Sequence, residues 1–242
     1  MIIFGRNAVL EALKSEKTFN ALFVDKSLKD RQTQEVINFA KESGVKISFV
    51  DRKILETKAQ KISSEKVLHQ GFIGEIVDLQ YSSIDEILES DGEDFIVVLD
   101  GIEDPHNLGA IIRTCECAGV TGVIIPEHRA CSVNETVIKT SAGATANVKI
   151  ARVTNINNAI ETLKKNGVWV YACEVGGENI FKTNLKGKIA IVMGSEGKGV
   201  SPLTLKKCDG KFSIPMFGKL NSLNVSVASA ISIYEVVRQR NK

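Results

Sequence analysis

The sequence predicts an α/β protein in two parts, a small α/β unit followed by a doubly wound domain built on a parallel sheet. Three observations predict it. Short, continuous apolar runs at residues 95–99 (FIVVL), 122–126 (GVIIP), 168–172 (VWVYA) and 189–193 (IAIVM) are separated by helical segments, the pattern of strands covered on both faces. Helix and strand signals also alternate ahead of residue 95, and an acidic stretch at 91–94 (DGED) separates the two regions. We therefore expect a first domain at residues 1–76, a linker at 77–94 and a second domain at 95–242.

In the first domain, Val9, Leu10 and Leu13 recur at helical spacing, and residues 20–26 (NALFVDK) read as a strand. Val36, Ile37, Phe39 and Ala40 mark a second helix, residues 45–51 (VKISFVD) a second strand, and residues 51–62 a further helical stretch. Residues 69–79 (HQGFIGEIVDL) are turn-prone, and residues 83–90 (SIDEILES) form a short amphipathic segment. No internal repeat or low-complexity tract interrupts the chain.

With 43% hydrophobic and 25% charged residues among 242, the composition is that of a globular protein and excludes disordered and fibrous classes. No apolar stretch approaches the ~20 residues that span a bilayer, and the first residues lack the order of a signal peptide, so a cytoplasmic location is expected. Five cysteines, Cys115, Cys117, Cys131, Cys173 and Cys208, are an odd number among apolar neighbours, which points to reduced thiols. Only Cys115 and Cys117 are close together and no second pair has zinc spacing, so no metal is expected. Residues 1–76 carry 13 Lys and Arg against 10 Asp and Glu, and the remainder 18 against 19. A mildly basic front is compatible with nucleic acid, but by itself it reads first as an ordinary solvated surface.

Ligands of open α/β sheets sit beyond the carboxyl ends of the strands, so the loops there carry the search. Three segments stand out. In residues 98–119 (VLDGIEDPHNLGAIIRTCECAG) a strand leads into a helix with Leu108, Ile111, Ile112 and Cys115 toward the core. Asn107 is placed to cap that helix, and Gly109, one turn before Arg113, leaves open space beside the guanidinium for a substrate. Equally, Asn107 is a mere cap and Arg113 a surface charge. In residues 189–201 (IAIVMGSEGKGVS), Gly194, Gly197 and Gly199 follow a buried strand and enclose Glu196. Gly199 after Lys198 and Val192 at the first glycine position exclude a P-loop, and the spacing excludes a dinucleotide fingerprint, leaving a tight turn or a site. In residues 212–240, a strand and a Pro-Met-Phe-Gly loop precede a helix apolar nearly all round, which is expected to be buried. Ser222, Ser226 and Ser229 form a small-residue stripe suited to a close helix or subunit contact, and Ser222 and Asn224 stand where they could be N-caps and nothing more.

Taken in this order, the segments resemble the three motifs of the SpoU (TrmH-like) family of RNA ribose 2′-O-methyltransferases. The resemblance is carried by N-x-G-x-x-x-R at Asn107, Gly109 and Arg113, by M-G-S-E-G-x-G at residues 193–199, and by I-P-M and S-L-N-V-S-x-A within residues 214–228. KTSAGA at 139–144 belongs to it, and GRNAVLEAL at 5–13 with HQGF at 69–72 resembles the family's L30e-like RNA-binding domain. The resemblance implies a SPOUT-type deep trefoil knot in the second domain, a homodimer, and a guanosine of 23S rRNA as target. It further implies S-adenosyl-L-methionine as cofactor, with S-adenosyl-L-homocysteine as product, held by positions matching Gly194, Ile214, Met216 and Leu223.

Arg113, Asn107, Glu196, Ser222 and Asn224 match the family's catalytic positions, with Arg6, Asn7 and Arg113 expected on the RNA and Lys26, Lys29 and Lys53 adding phosphate contacts. A guanidinium is a poor base at neutral pH. Arg113 is therefore expected to grip a phosphate and steady the developing alkoxide. His106 is the conventional alternative as base. Cys115 and Cys117 depart from the family's small residues and are expected to point into the packing of their helix. Competing readings are a tRNA or antibiotic-resistance rRNA target, a non-catalytic rRNA-binding protein, and a nucleotide-dependent dehydrogenase, the last disfavoured by the missing fingerprint.

Overall fold

The computed structural model describes residues 2–15, 17–62, 67–76, 79–89 and 92–241. The chain divides into two compact units, Met1–Leu79 and Gln80–Lys242. Four positions of the expected linker, 77, 78, 90 and 91, lie outside the described residues.

The first unit contains β1 (Ile2–Phe4), α1 (Arg6–Lys14), β2 (Phe19–Asp25), α2 (Arg31–Glu42), β3 (Ile47–Val50), α3 (Arg52–Ile62) and β4 (Phe72–Ile76). Its sheet runs β1-β4-β2-β3, with β4 antiparallel to both neighbours and β2 parallel to β3. Val9 and Leu13 of α1 and Val36 and Ile37 of α2 bury one face of the sheet against Leu22, Val24 and Phe72. Leu55 and Ala59 of α3 meet Ile73 in a separate cluster. The stretch read as turn-prone holds both a turn and a strand: Gln70 and Gly71 take positive φ (48° and 82°), and β4 follows at once. Gly74 inside β4 obscures the strand pattern. A Cβ there would come within 2.7 Å of the Phe19 ring and 2.9 Å of Ile3, so the bare backbone admits both neighbours.

The second unit contains α4 (Ile84–Leu88), β5 (Phe95–Asp100), α5 (Pro105–Cys117), β6 (Gly122–Pro126), α6 (Glu135–Thr140), a single 3-10 turn (Ala144–Ala146), β7 (Ile150–Val153) and α7 (Ile156–Lys165). β8 (Trp169–Asn179), β9 (Ile189–Gly194), α8 (Pro202–Lys207), β10 (Gly210–Ser213) and α9 (Val225–Arg240) complete it. All six strands are parallel, in the order β10-β8-β9-β5-β6-β7. Ile96 and Val98 of β5, with Val170, Val192 and Ile124, pack under Ile160 and Leu163 of α7. The alternate residues Phe95, Val97 and Leu99 are equally buried and point to the opposite face, as successive strand residues must. There α5 and α9 pack on each other, α5 burying Leu108, Ile111 and Ile112.

Within the stretch expected as linker, residues 80–89 are built into this unit. Ser82 bridges to Ala151, Ser83 and Glu86 form a reciprocal capping box on α4, and Ile87 is fully buried in the core beneath α7. α9 is not buried all round. Val227 and Tyr234, seven residues apart on one flank, are 47% and 49% exposed. Among the described residues no helix is long and apolar enough to cross a membrane.

From β5 the chain moves to β6 and β7 on one side, whereas β9, β8 and β10 lie on the other. The order therefore reverses between β5 and β9, whose last residues Asp100 and Gly194 are paired. Crevices at such a reversal are where open parallel sheets take ligands.

Candidate active site

Where β9 ends, residues 195–199 turn back on themselves: Ser195 N–H donates to the Gly199 carbonyl at 3.1 Å and Gly199 N–H to the Ser195 carbonyl at 3.0 Å. Gly197 and Gly199 have φ of 79° and 67°, a region that side chains disfavour. The turn is then anchored on the strands flanking β9. Val200 N–H donates to Glu174 Oε2 of β8 and Ser201 N–H to Asp100 Oδ2 of β5, each at 2.9 Å.

Glu196, at the tip, is where the three distant segments meet. Its Oε1 accepts from Asn107 Nδ2 at 2.9 Å and from Asn224 Nδ2 at 2.8 Å, and Asn224 Nδ2 also donates to Asn107 Oδ1 at 3.1 Å. Asn224 divides its amide between two tasks. Its oxygen caps α9, accepting from Ser226 N–H at 2.9 Å and Val227 N–H at 3.4 Å, while its NH2 faces the carboxylate. Asn107, by contrast, is not a cap. Asp104 takes that position, accepting from His106 N–H at 2.9 Å, and Pro105 fills the first turn where its missing N–H costs nothing. Asn107 therefore lies inside α5, buried, with its side chain free to turn toward Glu196.

Beside this network lies a cavity of about 550 Å³ walled by, among others, Gly194, Glu196, Ile214, Met216, Ser222 and Leu223. That size is typical of small-molecule sites, and the mixture of apolar and polar walls is too. Cys173 also lines it, but burial pushes its thiol up to about 11, with the nearby Ser232 hydroxyl opposing the shift and the Glu174 charge adding to it. At neutral pH it is no thiolate nucleophile. Among the described residues no three His, Cys, Asp or Glu side chains gather as a metal site requires.

Residues 94–234 match the SpoU rRNA Methylase family, and residues 2–82 match the family described as RNA 2'-O ribose methyltransferase substrate binding. The chain belongs to the SpoU rRNA methylase family. It is 38% identical over 245 residues to Bacillus subtilis (strain 168) YacO, a protein named for the TrmH family of tRNA/rRNA methyltransferases, covering 99% of this chain and 96% of that one. Among solved structures it is similar to an AdoMet-bound rRNA methyltransferase from Sinorhizobium meliloti, with TM-score 0.63, 25% identity, and 98% of this chain and 86% of the other covered. The A. aeolicus TrmH/SpoU tRNA modifying enzyme is 33% identical over 65% of this chain and 81% of its own, with TM-score 0.57.

In this SpoU chain the motif arginine stands apart from the cavity. Arg113 is exposed, is not on the cavity wall, and has no ion pair among the described residues. Six helical positions separate it from Asn107, which puts the two about a third of a turn apart around α5. Nor does Gly109 leave room beside the guanidinium. A Cβ on Gly109 would lie 2.7 Å from Thr140 Cβ and 2.9 Å from the Val137 carbonyl, so this glycine lets α6 close on α5. Gly109→Ala is therefore expected to cost about 1–3 kcal/mol of stability through overpacking, read as a lower denaturant midpoint. An unchanged midpoint would show that α6 is not held against this position.

His106 is exposed, with Thr140 Oγ1 3.5 Å from its Nδ1. Ser222 precedes α9, so the expected serine stripe does not exist as one helical row. Ser226 bonds back to Asn224 Oδ1, and Ser229 is fully buried within the chain, donating to the Val225 carbonyl. Cys115 is buried, but Cys117, two residues on and so on another side of the helix, is exposed.

In the first unit, Gly5 N–H donates to the Phe72 carbonyl and Arg6 N–H to Gln70 Oε1, joining the GRN and HQGF segments. The Arg6 guanidinium donates to Asp30 at 3.1 Å and to Gln32, and lies 6.0 Å from the Phe72 ring centre. Arg6 is thus already engaged, unlike exposed Asn7. Lys26 pairs with Asp51 at 2.7 Å, while Lys29 and Lys53 are exposed.

Two residues of this site escaped the motif reading, Asp100 and Glu174. The available signal was a carboxylate just beyond an apolar strand run, at the sheet edge where loops bind ligands.

Proposed function

We propose that this chain transfers a methyl group from S-adenosyl-L-methionine to a guanosine ribose 2′-hydroxyl in 23S rRNA. The observation that carries the reading is the Asn107–Glu196–Asn224 network beside the cavity, two of whose members, Glu196 and Asn224, line its wall. Membership of the SpoU rRNA methylase family supports it, as does the AdoMet-bound rRNA methyltransferase of Sinorhizobium meliloti, similar in fold.

The cavity fits such a cofactor. Gly194, Ile214, Met216 and Leu223 present backbone and apolar surface, and Glu196 places a carboxylate that suits a cationic ligand. The bound cofactor supplies an electrophilic methyl carbon on a sulfonium. Everything else is positioning, exclusion of water and charge stabilisation by the protein. The Asn107 and Asn224 amides hold the Glu196 carboxylate in place, and Ser222 on the wall offers a hydroxyl to orient the ribose. Arg113, solvent-facing and without an ion pair among the described residues, is free to grip an RNA phosphate and steady the oxygen as it becomes an alkoxide, the proton leaving late or to that phosphate.

Residues 1–76 serve as the L30e-like RNA-binding domain and residues 95–242 as the catalytic domain, its C-terminal part a deep trefoil knot. The match of residues 2–82 to a substrate-binding family supports the first assignment. The uncovered flank of α9, with Val227 and Tyr234, supports a homodimer in which a second copy covers it. A tRNA target is the second reading, favoured by the 33% identity to the A. aeolicus tRNA modifying enzyme.

Incubation of the protein with labelled S-adenosyl-L-methionine and unmodified 23S rRNA or total tRNA tests these readings together. Incorporation into a 23S guanosine, with loss of that 2′-O-methyl group in a deletion strain, is the expected result. Transfer to tRNA alone would replace the target, and cofactor binding with no transfer to either RNA would favour a non-catalytic rRNA-binding protein.

A further inference from the structure

Glu174 lies on β8 just past the buried Ala172, and its carboxylate spans two backbone amides. Oε1 accepts from Val175 N–H at 3.1 Å, and Oε2 accepts from Val200 N–H at 2.9 Å, across 26 residues of chain. The side chain lies so close to the glycine loop that a Cβ on Gly199 would come within 2.5 Å of Oε2. Gly199 thus answers two demands at once, its left-handed φ of 67° and the proximity of this carboxylate.

Val200 is 3% exposed and its side chain belongs to the core under α7. Its amide cannot turn readily to water, so removing Glu174 leaves a buried donor without an acceptor. On the other flank Ser201 N–H is held by Asp100 of β5. The turn that carries Glu196 is therefore slung between two carboxylates, one on each strand beside β9.

We propose that Glu174 is a positioning residue of this site, the latch that fixes the glycine loop, and with it Glu196, in the shape a bound ligand meets. The proposal rests on the methyltransferase reading above. Glu174 acts through the Val200 amide, whereas Asn107 and Asn224 act on Glu196 directly, so neither asparagine substitutes for it.

The test measures S-adenosyl-L-homocysteine binding by calorimetry and Val200 amide exchange by NMR, on the full chain and its variants. Glu174→Ala is expected to weaken binding about ten-fold and to speed Val200 exchange, the consequence of losing one charge-assisted acceptor. Glu174→Gln keeps a carbonyl oxygen in reach and is expected to restore Val200 protection and bring binding to within roughly three-fold of the unaltered chain. Should the alanine variant fail to fold, Glu174→Asp, one methylene short, takes its place with the same expectation.

An alanine variant with unchanged binding and a still-protected Val200 would overturn the latch. So would a glutamine variant that restores protection but binds as weakly as alanine, since charge alone would then matter. Failure of the unaltered chain to bind S-adenosyl-L-homocysteine would sink the methyltransferase reading instead, and Val200 exchange would still decide whether the latch exists.

Discussion

Replacing Arg113 with alanine is expected to lower methyl transfer by about 10²–10³-fold, the scale of losing one donor that reaches the developing oxyanion once RNA is bound. Binding of S-adenosyl-L-methionine should be unchanged, because Arg113 is absent from the cavity wall. Stability should also be nearly unchanged, within about 0.5 kcal/mol, as for other exposed side chains without partners. These separations make the experiment decisive: lost activity could not be ascribed to an empty cofactor site or an unfolded chain. Arg113→Lys should recover only part of the rate, since an ammonium keeps the charge but not the planar fork that grips a phosphate. Single-turnover transfer to RNA together with calorimetry of cofactor binding gives both readouts. An alanine variant with undiminished turnover would remove Arg113 from the chemistry. One that loses cofactor affinity would place the guanidinium nearer the cavity than its helix face allows.

Much of the architecture is legible from hydrophobic patterning, and the exceptions have physical causes. The runs at 95–99, 122–126 and 189–193 form β5, β6 and β9, buried on both faces, whereas 168–172 opens β8, where Val170 and Ala172 are buried and Trp169 on the other face is exposed. β7 is hard to read because Arg152 interrupts its short apolar run, and β4 because Gly74 breaks its alternation. The local reading of Asn107 failed for a different reason. Asn is a common N-cap, but Asp104 and Pro105 had already set the helix start three residues earlier. Its contact with Glu196 spans 89 positions and that of Asn224 with Asn107 spans 117, so no periodicity or spacing rule could connect them. Only the resemblance of the three segments to one family brought these residues into a single site beforehand. Gly109 carries the same lesson in reverse. A missing side chain looks like room for a substrate in one dimension, and the fold fills that room with Thr140.

Gly194→Ala should be the most damaging single-methyl change in the molecule. Unlike Gly197 and Gly199, Gly194 is not required by a positive φ; its constraint is purely one of space. A Cβ there would sit 2.0 Å from the Gly199 carbonyl carbon and 2.2 Å from Val200 N, all of it backbone that cannot rotate away. To admit the methyl, the hydrogen bonds between Ser195 and Gly199 must open and Val200 must leave Glu174. Overpacking of this kind costs about 1–3 kcal/mol, and more where no side chain can yield. Because Gly194 also lines the cavity, we expect both a lowered denaturant midpoint and cofactor affinity reduced by at least about ten-fold, the factor that 1.4 kcal/mol represents. Gly218→Ala is the matching control. That glycine has no heavy atom within 4 Å of the added methyl and no positive φ, so the same chemical change should be close to neutral there. Comparable behaviour of the two variants would mean that the turn after β9 yields freely. The shape of the site would then have to be set by the bound ligand, and not by the loop that β9, Glu174 and Asp100 hold in place.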